Sequence, residues 1–356
     1  MNFSSDNSYG VADEIMAAVV AANRGAAVSY GGDDWSMRVS ARFADLFEHE
    51  VEVFLVPTGT AANALSVATL TPAHGAVLCH AEGHIHLEEC GACEFYALGA
   101  RLVPVEGFAG RMTVPGLKAA LARYPGIRHD LVPSALSLTQ STECGTVYPI
   151  DEIAALAGLA HENGLGVHMD GARFANAAAA LGCAPADITW RAGIDILSFG
   201  ATKNGAIAAE AVIVFDRTRG RDLFHRRKRG GLLVSKTRFL AAQLEAYLVD
   251  DLWLRLASRA NAMAARLAAG LASLPAVRLP WPVEANEVFP VLPRALAAKL
   301  RESGAVFHDW TATGLAGTGH APSPDECLVR LVTSFRTEAG DIDAFIAAAR
   351  GLAERT

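Results

Sequence analysis

The sequence predicts an α/β layered protein with a large first domain and a smaller second one. Two observations carry this. Short runs rich in Val, Ile and Leu alternate with Ala-rich segments whose apolar residues recur every three or four positions, the pattern of strands covered by helices. After residue 274 the texture changes, with Pro275, Pro280 and Pro282 breaking the chain before shorter elements resume. The 356 residues fit a two-domain prior, and a hydrophobic content of 51% against 19% charged residues leaves no room for a disordered chain.

Strands are expected at 51–56, 76–79, 101–104, 135–138, 166–169, 196–198 and 211–215. Helices are expected at 61–70, 115–123, 149–163, 237–249 and 253–274, with a final amphipathic helix at 341–355. The domain reading is an N-terminal arm over 1–23, a large domain over 24–252 and a small domain over 253–356.

Charge and composition narrow the function classes. A net charge of −7 argues against nucleic acid, whose binding draws on Lys and Arg neutralising phosphates. The basic run from Arg217 to Arg229 is judged locally, and its densest part, His225-Arg226-Arg227-Lys228-Arg229, reads as a solvated helix face. No membrane span is expected, since the best apolar window, 206–215, is short and interrupted by Glu210. The polar start of the chain carries no secretion signal, and six scattered cysteines read as reduced thiols, so the expected location is the cytoplasm. His80, His84, His86, Cys90 and Cys93 cluster, but no second ligand pair follows at zinc-site spacing, so no metal is expected.

Three turns at strand ends carry chemistry. Thr58-Gly59-Thr60 lies between a strand and a helix, where free N–H groups and the helix dipole favour a phosphate; a simple N-cap explains the same residues. Asp170 ends an apolar strand and is followed by Arg173, at the edge where ligands of open α/β sheets bind. Lys203 follows another strand end, 33 residues after Asp170, among small and polar residues. A phosphate turn, an aspartate and a lysine in this order are what pyridoxal 5'-phosphate requires: the lysine for its aldehyde, the aspartate for its ring nitrogen and the helix end for its phosphate. Arg330 is a charge inside the apolar strand pattern Leu328-Val329-Arg330-Leu331-Val332, which calls for a buried partner or a substrate carboxylate.

The stretches VFLVPTGTAANAL (53–65), HIHLEECGACEF (84–95), HMDGARFANA (168–177), LSFGATKNG (197–205) and VRLVTSF (329–335) resemble the threonine aldolases of the β-eliminating-lyase group, nearly end to end. The likeness is to the low-specificity and phenylserine-cleaving bacterial branch. It implies the type I fold of pyridoxal phosphate enzymes (aspartate aminotransferase-like), with a mixed, mostly parallel sheet and a smaller C-terminal α/β domain. It further implies Lys203 as the Schiff-base lysine, Asp170 at the pyridine nitrogen and His84 stacked on the ring. Ser5, Arg173 and Arg330 are implied at the substrate carboxylate, with Tyr30 reaching a neighbouring subunit's site and Lys228 and Lys236 near the site or a neighbour's phosphate.

The implied reaction is cleavage of a β-hydroxy-α-amino acid such as threonine, allo-threonine or phenylserine to glycine and an aldehyde. His84 and His129 are the candidate bases, and Glu89 holds a water or orients a partner. Glu88, Asp33 and Asp34 read as surface residues. A homodimer or homotetramer is implied, because the family builds its sites between subunits. The chain departs from many threonine aldolases at Thr139–Cys144, where those have an ENTHN-like segment, and in the loop around Lys203. Another reaction on the same scaffold, β-elimination or transamination, and a catalytically silent binding protein are the alternatives.

Overall fold

The structure, a computed structural model, describes residues 1–126 and 129–353. Its centre is a seven-stranded sheet made of β1 (Glu52–Val56), β2 (Gly75–His80), β3 (Arg101–Val105), β4 (Val132–Thr139), β5 (Gly166–Gly171), β6 (Ile196–Gly200) and β7 (Glu210–Val214). The order across the sheet is β1-β7-β6-β5-β4-β2-β3. Strands β3, β2, β4, β5 and β6 pair in parallel, and β7 runs antiparallel to both of its neighbours. Every residue of β2, β5, β6 and β7 is buried, as expected of strands covered on both faces.

Adjacent residues point to opposite faces, so each strand feeds two cores. Val77, Ala135, Ile196 and Val212 join α3 (Gly59–Leu70) on one face. Leu78, Leu136, Leu197 and Ile213 join a larger cluster on the other, with Phe43, Phe47, Phe174 and Phe199. That cluster takes in residues of α1 (Asp13–Ala22) and α2 (Asp34–Phe47). Along the chain between β2 and β6 lie α4 (His84–Leu87), α5 (Ala92–Tyr96), α6 (Val114–Leu121), α7 (Ile150–Glu162) and α8 (Phe174–Leu181); after β7 come α9 (Leu223–Arg229) and α10 (Arg238–Leu248).

The C-terminal part follows α11 (Leu252–Ala272). Strands β8 (Glu287–Val288), β9 (Val291–Pro293) and β10 (His308–Asp309) all pair antiparallel with β11 (Glu326–Val332). α12 (Arg294–Glu302) and α13 (Ala339–Ala353) pack with this sheet around a second core. The chain's first residues belong to that core. Phe3 is fully buried against Phe345, ring centroids 5.2 Å apart, and its carbonyl accepts from Val332 N. This anchorage sends Ser5, Asp6 and Asn7 on towards the end of the large sheet.

Every strand expected over 51–215 is present to within a few residues, as are the helices expected at 61–70, 115–123, 149–163, 237–249 and 253–274. Residues 354 and 355 of the expected last helix lie outside the described residues, as do Ile127 and Arg128. Two expectations need correction. The run 225–229 is not wholly solvated: Arg227 is buried and donates to Leu55 O at 3.1 Å, and burial pushes its guanidinium down to about 10. Asp33 is not a surface group but the buried N-cap of α2, accepting from Ser36 N and Ser36 Oγ at 2.9 Å each.

Candidate active site

The turns singled out by sequence converge. Thr58, Gly59, Thr60, His84, Asp170 and Lys203 line one cavity of about 340 Å³. It lies at the carboxyl ends of β4, β5 and β6, where the sheet opens between its covering helices. Thr58 caps α3, accepting from Ala61 N at 3.1 Å, and no atom lies within 4 Å of where a Gly59 Cβ would stand. The first N–H groups of α3 therefore face open space.

Asp170 is buried and held from two sides. Its Oδ1 accepts from Ala172 N at 3.0 Å and its Oδ2 from Asn63 Nδ2 at 2.8 Å. The same Asn63 nitrogen donates to Glu89 Oε1 at 2.8 Å, and Glu89 Oε1 also lies 2.9 Å from His84 Nδ1. Glu89 thus orients His84, and in doing so raises the imidazole's pKa; burial opposes the rise, while the Asp170 charge adds to it. Asn63 was not anticipated. The available signal was a polar residue on the buried face of an Ala-rich helix.

Lys203 sits in a short helical turn, Thr202–Asn204, that packing fixes. Glu210 Oε2 accepts from Ala201 N at 2.8 Å, and Asn204 Nδ2 donates to Tyr247 Oη at 2.7 Å and to Trp253 O at 2.9 Å. Gly205 closes the turn at φ +109, where an added Cβ would also come within 3.0 Å of Leu256 and 3.2 Å of Ala12. Burial pushes Glu210 up to about 7, against hydrogen bonds from Thr202 and Ala201.

A second cavity, about 440 Å³, opens beside the first and is lined by Ser5, Glu287, Trp310 and Arg330. Arg330 lies on β11 with its guanidinium 4.4 Å from the centre of the Trp310 ring, and its buried Nε has no hydrogen-bond partner. No ion pair of Arg330 occurs among the described residues. Arg173 differs. Its Nε and Nη2 donate to Asp6 at 2.8 and 3.2 Å, and Nη1 lies 3.0 Å from Glu287 Oε2. Both carboxylates escaped the sequence reading, because Asp6 and Glu287 meet Arg173 only through the docking of the N-terminal segment and of β8.

Other expectations fall away from the cavities. His129 is exposed in a turn before β4, at the amino end of that strand, whereas the cavity lies beyond its carboxyl end at Thr139. Eight residues of strand separate the two by roughly 23 Å, so His129 cannot act in its own chain's cavity. Tyr30 is exposed under Lys228 Nζ, 4.8 Å from its ring centre, and Lys236 is exposed; neither lines either cavity. Cys93 is buried with Sγ 3.8 Å from Glu89 Oε2, and Cys90 is an exposed free thiol. Glu88, by contrast, lines the outer cavity.

Comparison with known proteins decides the lineage. The sequence pattern of the Beta-eliminating lyase family matches residues 2–294. The chain belongs to the β-eliminating lyase family. Within that family it is 43% identical over 312 residues to the low specificity L-threonine aldolase of Pseudomonas aeruginosa, covering 88% of this chain and 90% of that one. It is 40% identical to the low specificity L-threonine aldolase of Pseudomonas sp. strain NCIMB 10558, covering 92% and 94%. Among solved structures, this lyase superposes on the threonine aldolase of Leishmania major with a TM-score of 0.91 at 28% identity, covering 99% of both chains.

Proposed function

We propose that this chain is a pyridoxal 5'-phosphate-dependent aldolase that cleaves L-β-hydroxy-α-amino acids, threonine, allo-threonine and phenylserine among them, to glycine and an aldehyde. The observation that carries the reading is Lys203, whose side chain lies where two cavities meet, one offering a helix end and Asp170, the other Arg330.

The residues present fit the cofactor. The open space at Gly59, the hydroxyls of Thr58 and Thr60 and the free N–H groups of α3 suit its phosphate. Asp170 suits its ring nitrogen and Lys203 its aldehyde carbon. The His84 imidazole, fixed in orientation by Glu89, suits its ring face. When bound, the cofactor supplies an electron sink for the pair released as the Cα–Cβ bond breaks.

The chain's own residues do the rest. Arg330, charged and without a carboxylate of its own, receives the substrate carboxylate with Ser5 beside it. Arg173, held by Asp6 and Glu287, borders the same carboxylate site. The N-terminal segment, through Ser5 and Asn7, and β11, through Arg330, line the outer cavity. We further assign the protein to a homodimer or homotetramer in which Tyr30 and Lys236, remote from their own cavity, complete a neighbour's, and to the cytoplasm, in keeping with its free thiols. Among the described residues no helix is long and apolar enough to cross a membrane.

The test is spectroscopic and chemical. Purified protein with the cofactor is expected to show a visible absorbance that Lys203→Ala abolishes, and to release glycine and an aldehyde from threonine or phenylserine. A keto acid and ammonia as products would overturn the aldolase reading.

A further inference from the structure

Among the described residues, five side chains line both cavities: Asn7, His84, Glu143, Arg173 and Lys203. The substrate's Cα, which joins its carboxylate to the nitrogen that meets the cofactor, must lie near them, and Cβ is one bond away. Three of the five are unsuited to taking a proton from a β-hydroxyl. Asn7 is an amide, Arg173 is a guanidinium held by Asp6 and Glu287, and Lys203 anchors the cofactor. His84 has Nδ1 held by the Glu89 carboxylate, and its ring face is the one assigned to the cofactor, which leaves Nε2 as its free nitrogen.

Of the five, Glu143 is the one with a buried acceptor oxygen that has no partner, and its surroundings suit the task. Its Oε1 accepts from His84 N at 2.6 Å and from Thr139 Oγ1 at 3.1 Å, which fixes the carboxylate. Its Oε2 is buried without any hydrogen-bond partner. A buried carboxylate oxygen left unsatisfied is costly, and an incoming hydroxyl would satisfy it. Burial, reinforced by the Asp170 charge and opposed by the His84 backbone hydrogen bond, pushes the Glu143 carboxyl up to about 7. Its carboxylate is therefore a stronger base than an ordinary glutamate while still ionised near neutral pH.

We propose that Glu143 is the catalytic base that takes the β-hydroxyl proton. This rests on the aldolase reading above. Glu143 Oε2 accepts the proton, and the pair from the O–H bond becomes the second C–O bond of the departing aldehyde. The Cα–Cβ pair stays with Cα, where the bound cofactor would serve as its electron sink. A proton then returned to Cα gives glycine, so one proton is taken and one restored, and nothing is oxidised or reduced.

The experiment uses cofactor-loaded enzyme and the variant Glu143→Gln, which keeps the size of the side chain and an acceptor for His84 N. Two reactions are compared: glycine release from threonine or phenylserine, and exchange of the α-hydrogen of glycine with solvent deuterium, which has no hydroxyl to deprotonate. Expected is a loss of about 10²-fold or more in kcat for cleavage, with KM, visible absorbance and glycine exchange each within about 3-fold of wild type by the same scale. Glu143→Ala is expected to regain cleavage in added formate. Cleavage by Glu143→Gln within about 3-fold of wild type, or a parallel loss of cleavage and glycine exchange, would overturn the assignment. Wild-type enzyme that exchanges glycine but releases none from either substrate would instead overturn the aldolase reading itself.

Discussion

Asp6→Asn tests whether the N-terminal segment is held by charge. The Asp6 carboxylate accepts from Arg173 at 2.8 and 3.2 Å and from Asn286 Nδ2 at 3.0 Å, all buried or nearly so. The substitution preserves volume but leaves Arg173 facing a neutral amide. Breaking a buried pair costs about 3–5 kcal/mol; the lower end applies, since Glu287 remains 3.0 Å from Nη1. At about 2 °C per kcal/mol for a large domain, the melting midpoint should fall by roughly 6 °C. Burial raises the Asp6 pKa, but the Arg173 charge, with Lys203 and the hydrogen bonds, outweighs it and holds the carboxyl below the usual range. This stability is therefore present above the unfolded value of about 4 and is lost as pH falls through the depressed one. Thermal unfolding of wild type, Asp6→Asn, Arg173→Met and the double variant at pH 7 measures the coupling. A midpoint for Asp6→Asn within about 1 °C of wild type, or strictly additive single effects, would refute the reasoning.

Three further outcomes follow from the geometry. Arg330→Met, removing a charge that sits over Trp310 with an unpaired Nε, should raise KM for threonine or phenylserine by about 10- to 100-fold, while the visible absorbance of bound cofactor is unchanged; steady-state kinetics beside a spectrum checks both. Gly59→Val should fold normally, since nothing stands within 4 Å of the new Cβ, yet weaken cofactor retention by about tenfold in equilibrium dialysis, because the side chain enters the space proposed for the phosphate. Burial raises Glu210 to about 7, so the stability tied to its neutral form is complete below about 4 and falls away as pH rises through 7. Glu210→Gln should therefore gain on wild type as pH rises from about 4.5 to about 7 and hold that gain above it, by up to about 3 kcal/mol, in paired denaturation curves; equal slopes between about pH 5 and 7 would count against this account.

Much of the site was legible because it is built from local signals. Lys203, Asp170 and the Thr58–Thr60 turn each end an apolar strand, and strand ends can be read from a run of β-branched residues followed by small or polar ones. Arg330 stood out for the same reason, as a charge where the pattern asks for an apolar side chain. His129 shows the limit of the method. The resemblance suggested it as a base, but the loop that carries it enters β4 at the amino end of that strand, away from the cavity.

The sequence by itself determined the elements, the order of strand and helix, and the three polar turns that follow apolar strands, because propensity, periodicity and turn chemistry act over a few residues. Only the tertiary structure decided which groups share a field. Arg173 meets Asp6 across 167 residues, Asn63 meets Asp170 across 107, and Glu143 meets His84 across 59. Those contacts depend on how helices cross a sheet and where the N-terminal segment docks. Burial then turns each of them into chemistry, balancing one arginine while leaving another unpaired, and raising one glutamate towards neutrality with an oxygen to spare.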